Sequence, residues 1–311
     1  AITNNSMTLG GNVTDEGASA IIERGFIYGV VYDDVDNSSS TVLVGTSLNE
    51  TTAGTTGTYT QGISSLCPNQ TYYFKAYALN STDEGYGNVE NQITSSPGTY
   101  TTTQAGALTS TDTWGGCSVP NLTSGHTINI GHAVTSSGLT LTGVTNVVVN
   151  SGGTLTNTGT ISMGGSGVAA SLTVDAGGTL TTANVSYGSG STFNTNGTTS
   201  ITGTLTTSSS GTFNTSGTTT IANVLNGSGD FNQTAGTVTI TNNFDCANDC
   251  DFDQSAGAMN VTGDFKIWGS GEAHMDGTLD VGTVIITDNN GYMDGSGVLT
   301  YGSSNVNANN A

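Results

Sequence analysis

Between residues 138 and 297 a glycine returns nine times at a nearly constant step: Gly138, Gly159, Gly178, Gly197, Gly217, Gly236, Gly257, Gly277 and Gly297. The intervals are 21, 19, 19, 20, 19, 21, 20 and 20 residues. A period of that size makes each repeat one structural unit, which buries its apolar side only by stacking on its neighbours. Side chains follow the same beat. Two residues after the glycines stand Ile161, Leu180, Thr199, Thr219, Val238, Met259, Leu279 and Leu299, and four residues after stand Met163, Thr182, Ile201, Ile221, Ile240, Val261, Val281 and Tyr301. Positions between them are mostly Thr or Ser, so each repeat carries one strand with two inward residues.

Two further series complete the coil. Eight residues after the glycine come Leu205, Leu225, Phe244, Phe265 and Ile285. Four or five residues before it come Leu155, Val174, Phe193, Phe213, Phe231, Phe252 and Met293. Three apolar stations per turn predict a three-faced parallel β-helix of about nine 20-residue coils, which at about 4.8 Å per coil rises about 40 Å. Phe193, Phe213, Phe231 and Phe252 are expected to form an internal aromatic ladder. Charge is scarce in such a stack because identical charges on successive coils repel at strand spacing.

Composition narrows the function. The 311 residues carry 23 acids against Arg24, Lys75 and Lys266, a net charge of −20. Three cations cannot line a phosphate track, which excludes nucleic acid as a partner, and an anionic membrane surface is disfavoured for the same reason. No apolar run approaches the roughly 18 residues of a membrane helix, so no membrane insertion is expected. The chain begins Ala1-Ile2-Thr3, which reads as a processed product or an excerpt of a longer chain. Scarce Lys with abundant Thr and Asn suits an extracellular or cell-surface protein. Four cysteines allow three pairings. Residues four apart in a straight strand are about 13 Å apart and cannot bridge, but "CANDC" reads as a turn, so Cys246–Cys250 is the preferred pair. That leaves Cys67 with Cys117.

Residues 1–98 read as a separate all-β unit. Short strands with period two are bounded by Gly, Asn and Asp: Met7 to Val13, the run "ERGFIYGVVY", "TVLVGT" and "TYYFKAYALN". In the last, Tyr72, Phe74, Ala76 and Ala78 share one face with Leu66 upstream, and Tyr73, Lys75 and Tyr77 share the other. Seven or so strands in this length argue for a β-sandwich. The run Leu66, Pro68, Tyr72, Ala76, Ala78, Asn80 resembles the penultimate strand of a fibronectin type III domain. The resemblance covers nearly the whole unit and implies that Tyr72 is a corner tyrosine bonded to the upstream backbone. It also implies a spacer or binding module. "TLGGNVTDEGASAIIERGFIYG" and "AYALNSTDEGYGN" are similar to the variant found in exported Bacteroidetes proteins.

Residues 99–311 read as the solenoid. At its entry, Trp114, Val119, Pro120, Ile128, Ile130, Gly131, His132 and Val134 resemble in order the opening of β-helical repeats in secreted Bacteroidetes surface proteins. That likeness spans about 45 residues, from Thr113 to Thr156, and implies an extracellular structural or adhesive role.

Candidate chemistry is sparse. His126 and His132 lie six apart without Cys, Asp or Glu at ligand spacing and read as turn histidines. Asp245, Asp249, Asp251 and Asp253 crowd one coil and are candidate calcium ligands, with a solvated acidic loop as the other reading. "DDVDNSS" (Asp33, Asp34, Asp36, Asn37) resembles half a calcium loop without its Gly and closing Glu. A polysaccharide lyase needs a base and carboxylate-neutralising cations, whereas the solenoid holds only Lys266; no catalytic residue, cofactor or enzymatic activity is expected. Two readings from different classes stand. In one, the chain is a subunit of a surface fibre that assembles head to tail with copies of itself through a last coil carrying Val298, Leu299, Tyr301 and Val306. In the other, it is an adhesin binding glycan or a host surface through Thr/Asn faces and Tyr73, Tyr77 or Trp268.

Overall fold

The structure, a computed structural model, describes residues 1–38, 46–50, 56–123, 125–143, 145–164, 169–188, 190–208, 210–287 and 291–306. It is nearly all β, only 3% helical, and divides into two compact units, Ala1–Thr99 and Tyr100–Ala311. No helix among the described residues is long and apolar enough to cross a membrane.

In the first unit, Met7–Val13 pairs antiparallel with Gly57–Ile63. A second antiparallel sheet is centred on Thr71–Asn80, which pairs with Ile21–Gly29, Glu84–Tyr86 and Glu90–Ile93. The alternation in the sequence packs as read on one side: Met7, Leu9, Phe26, Tyr59, Ile63, Leu66 and Tyr72 form a buried cluster, with Phe74, Ala76 and Ala78 against it. The Cys67 amide donates to the Tyr72 hydroxyl at 2.8 Å, tying this strand to the chain just upstream. The opposite face is a correction. Tyr77 and Lys75 are buried there, because residues Tyr32–Asp36 form a short helix that sets Val35 against Ile27 and Tyr77. The strand expected to run on through "GVVY" therefore ends at Gly29, and Asp33 and Asp34 stand in the first helical turn rather than in a calcium loop. Lys75 stays satisfied by donating to the Asp36 carbonyl at 2.8 Å. Most of "TVLVGT" lies outside the described residues; Thr46 opens the strand Thr46–Glu50.

The second unit is a β-solenoid of about eight turns, from about residue 127 to 304, one fewer than the glycine count suggests. Each coil contributes a short strand to one sheet, parallel from Thr127–Ile130 to Tyr292–Asp294. It contributes a longer strand, bent by a register shift, to the other. Pairing is residue on residue: Phe193, Phe213, Phe231 and Phe252 occupy one register position in successive strands. Their ring centroids lie 5.2, 4.7 and 5.7 Å apart along the stack. Phe244 and Phe265 add a second stacked pair at 4.8 Å, in contact with Phe252.

Glycine recurs because successive coils touch there. A Cβ on Gly217 would stand 2.1 Å from the Gly197 carbonyl oxygen, and one on Gly236, which also has φ +69°, would stand 2.1 Å from that of Gly217. No other residue fits such a contact.

The ruler slips at its N-terminal end. Thr154, next to Gly153, pairs with Thr179, next to Gly178, a step of 25 residues. Gly153 is thus the true partner of Gly178, while Gly159 lies at the strand bend, where its Cβ would meet the Ser137 carbonyl. Leu155 consequently stacks on Leu180, and Leu172, not Val174, stacks on Phe193. The third station also slips. Leu205 pairs with Val224, so Leu225 points outward at 46% exposure, and Val284 rather than Ile285 aligns with Phe265. The bend takes three residues in some coils and four in others, which a fixed offset from glycine cannot follow. Tyr301 is a further correction: it is exposed, and among the described residues its strand pairs on one side only.

The interior also carries polar ladders. Thr195 and Thr215 hydroxyls meet Thr219 at 3.1 Å each, and Gln254 donates to Gln233 at 3.1 Å. Outside, Asn232 donates to Asn214 at 3.0 Å and Asn214 to Asn194 at 2.8 Å. Identical amides in register form such chains because each donates to the coil before it.

Candidate functional site

The chemistry-bearing side chains of the solenoid gather on its last coils. On the outward face of the short strands, Asp230, Asp251, Glu272 and Tyr292 occupy one register column, and Asn232, Asp253, His274 and Asp294 the next. Strand spacing puts successive carboxylates of the first column about 5 Å apart. Burial, then the charges of Asp230, Glu272 and Asp253, pushes the Asp251 carboxyl above its ordinary value. Tyr292 relieves the column's end by donating to Glu272 at 2.9 Å.

His274 bridges two acids. Its Nδ1 lies 2.6 Å from Asp294 and its Nε2 3.2 Å from Asp276, and these hydrogen bonds raise its pKa above 6.5. Asp276, which also accepts from the Ser296 amide at 2.8 Å and hydroxyl at 2.7 Å, is held down to about 2. Two successive coils are thus clipped together on their outer side.

The four aspartates named as candidate calcium ligands do not converge. Asp245 faces outward on Phe244–Ala247 of the long-strand sheet, Asp249 lies in the turn and accepts from Ser270 at 2.5 Å, and Asp251 and Asp253 belong to the short-strand sheet. Among the described residues no group of three or more His, Cys, Asp or Glu is placed to hold a metal ion. The turn separates them because Cys246 and Cys250, both buried, are joined by a disulfide across a Cα–Cα distance of 5.6 Å. Neither Cys67 nor Cys117 is a free thiol.

His126 is buried edge-on against Tyr100, and His132 Nδ1 meets the Thr102 hydroxyl at 3.1 Å. Trp114, which opens the second unit's core, donates to the Leu108 carbonyl at 2.8 Å. Of the aromatics expected to face a ligand, Tyr77 is buried, while Tyr73 and Trp268 are half-buried.

The assembly candidates lie on the outermost described coil. Strand Val298–Val306 pairs only with Thr278–Thr287 among the described residues, and Tyr292–Asp294 only with Glu272–Met275. Val298 is 61% exposed, Tyr301 50% and Tyr292 47%, whereas Leu299 packs partly against the core. Val306 closes the strand. Tyr292 is the member sequence reading missed; its place in line with the acid column is visible only once the coils are in register.

Comparison with protein-family models, curated proteins and solved structures returns no match to this chain.

Proposed function

We propose that this chain is a non-catalytic structural protein of an extracellular surface, a segment or subunit of a fibre in which solenoids meet head to tail. Val298, Tyr301 and Tyr292, exposed on the outermost described coil beside strand edges that no described residue pairs, carry this reading. The charge map supports it. From Thr113 to Gly229 the only charged residue is Asp175, whereas Asp230 to Asp294 holds eleven acids against Lys266. A coil stack neutral at one end and acidic at the other suits a directional contact, and a directional contact that does not close makes a filament. The fibronectin type III resemblance of the first unit, and the resemblance of the solenoid entry to secreted surface repeats, fit a spacer joined to such a shaft.

Negative-stain imaging and sedimentation test the reading. The chain is expected to polymerise when salt or divalent cations screen its carboxylates, and Val298→Lys with Tyr301→Lys to leave it folded and monomeric. A wild-type chain that stays monomeric at high concentration in salt and calcium sinks the fibre.

A further inference from the structure

One outward column of the long-strand sheet changes character midway. Ser162, Ser186 and Thr206 succeed one another in register, and then Leu225, Asp245 and Lys266 take the same place. Beside them Trp268 stands in register over Ala247. Large side chains thus flank small ones, and the notch over Gly227 and Ala247 is a groove of about 330 Å³. That volume is at the low end of the roughly 300–1,000 Å³ of small-molecule sites.

The lining has a consistent chemistry. Leu225 and the Trp268 indole give it an apolar wall. Lys266, the solenoid's one cation, lies with its ammonium 5.3 Å over that indole, and directly across from it in register is Asp245. Among the described residues neither charge has an ion-pair partner. One more donor lacks an acceptor: Trp268 Nε1 has no hydrogen-bond partner. A buried donor without an acceptor is costly, and a bound oxygen removes the cost.

We propose that this groove binds one or two pyranose units of a neutral glycan. A pyranose has an apolar C–H face for Trp268 and Leu225 and a rim of hydroxyls that both donate to Asp245 and accept from Lys266 and the indole N–H. The rim charges balance, and the chain's net charge of −20 repels anions, so an uncharged ligand fits and a phosphorylated or uronate-rich one does not. The site is independent of the terminal coil and of fibre formation.

Intrinsic fluorescence reads it directly, since the chain has two tryptophans and the other, Trp114, is buried. The full-length protein is titrated with cellohexaose, laminarihexaose, maltohexaose and mannohexaose. A saturable emission change with at least one of them, at a midpoint below about 1 mM, is expected. Leu225→Thr restores the hydroxyl that earlier coils carry at this place, and Lys266→Ala removes the cation. Each is expected to weaken binding at least about tenfold with an unchanged circular dichroism spectrum. No saturation with any of the four, or affinity indifferent to both substitutions, overturns the proposal. So does a sugar-free emission shift that grows with protein concentration and disappears in Leu225→Thr, which would make a second copy of the chain the occupant.

Discussion

Phe213→Ala is the most informative perturbation of the solenoid. Phe213 is fully buried, with Phe193 at 5.2 Å on one side and Phe231 at 4.7 Å on the other. Truncation leaves a ring-sized cavity that neither neighbour can fill, because each is fixed by main-chain pairing of its own coil. Large-to-small changes of this type cost about 3–5 kcal/mol. Stability in a solenoid is a sum of nearest-neighbour terms, so the loss falls on the two interfaces Phe213 makes and opens the stack there first. For a unit of this size about 2–4 °C of melting temperature goes with each kcal/mol, so the midpoint should fall by roughly 6–20 °C. Urea unfolding followed by circular dichroism measures the cost, and amide exchange locates it, with strands Thr192–Thr195 through Asp230–Gln233 losing protection first. Leu225→Ala is the control: one residue from buried Val224 but outward-facing, it should move stability by no more than about 0.5 kcal/mol. If Phe213→Ala costs under about 1 kcal/mol, or Leu225→Ala costs more than it does, the register and the ladder argument are wrong.

Reducing or substituting Cys250 opens a loop of sequence separation 4, and chain-entropy arguments put the loss at about 2 kcal/mol; an unchanged urea midpoint refutes that. His274 should titrate above 6.5 by NMR. Because its folded pKa is raised, its contribution is complete below 6.5 and is lost as pH rises through the folded value, while that of Asp276, lowered to about 2, is lost only as pH falls from 3.8 toward 2. Protection factors of Glu272–Met275 and Tyr292–Asp294 should therefore peak between those limits and decline above them; a maximum at alkaline pH contradicts the clip. Asp251→Asn should leave stability at neutral pH equal or higher, since the native state raises the Asp251 pKa and so disfavours its charge; a clear fall in the urea midpoint reverses that sign. Release of reducing ends or unsaturated products from neutral or acidic polysaccharides, lost on Asp251→Asn, would overturn the non-catalytic reading.

Much of this protein is legible in the chain itself. A glycine near every twentieth residue announces coils that touch, and alternation of Phe, Ile and Leu with Thr marks which side chains enter the core. Phe193, Phe213, Phe231 and Phe252 were placed from spacing alone because a parallel stack in register turns sequence period directly into contact. What spacing could not supply is the length of each corner. Three residues at one bend and four at the next decide that Val224 goes in and Leu225 out, and with that decision the groove beside Trp268 exists. A helix of five residues buries Tyr77 and Lys75, which alternation within their strand placed only on its other face, since a strand cannot signal what will cover its second face. The four aspartates of one coil look like a cluster in sequence and are parted in space because a disulfide-closed turn carries the chain from one sheet to the other between Asp245 and Asp251. Periodicity is a local property and reads out the stack; corners, covers and columns depend on which coils lie beside one another, and that is settled only by folding.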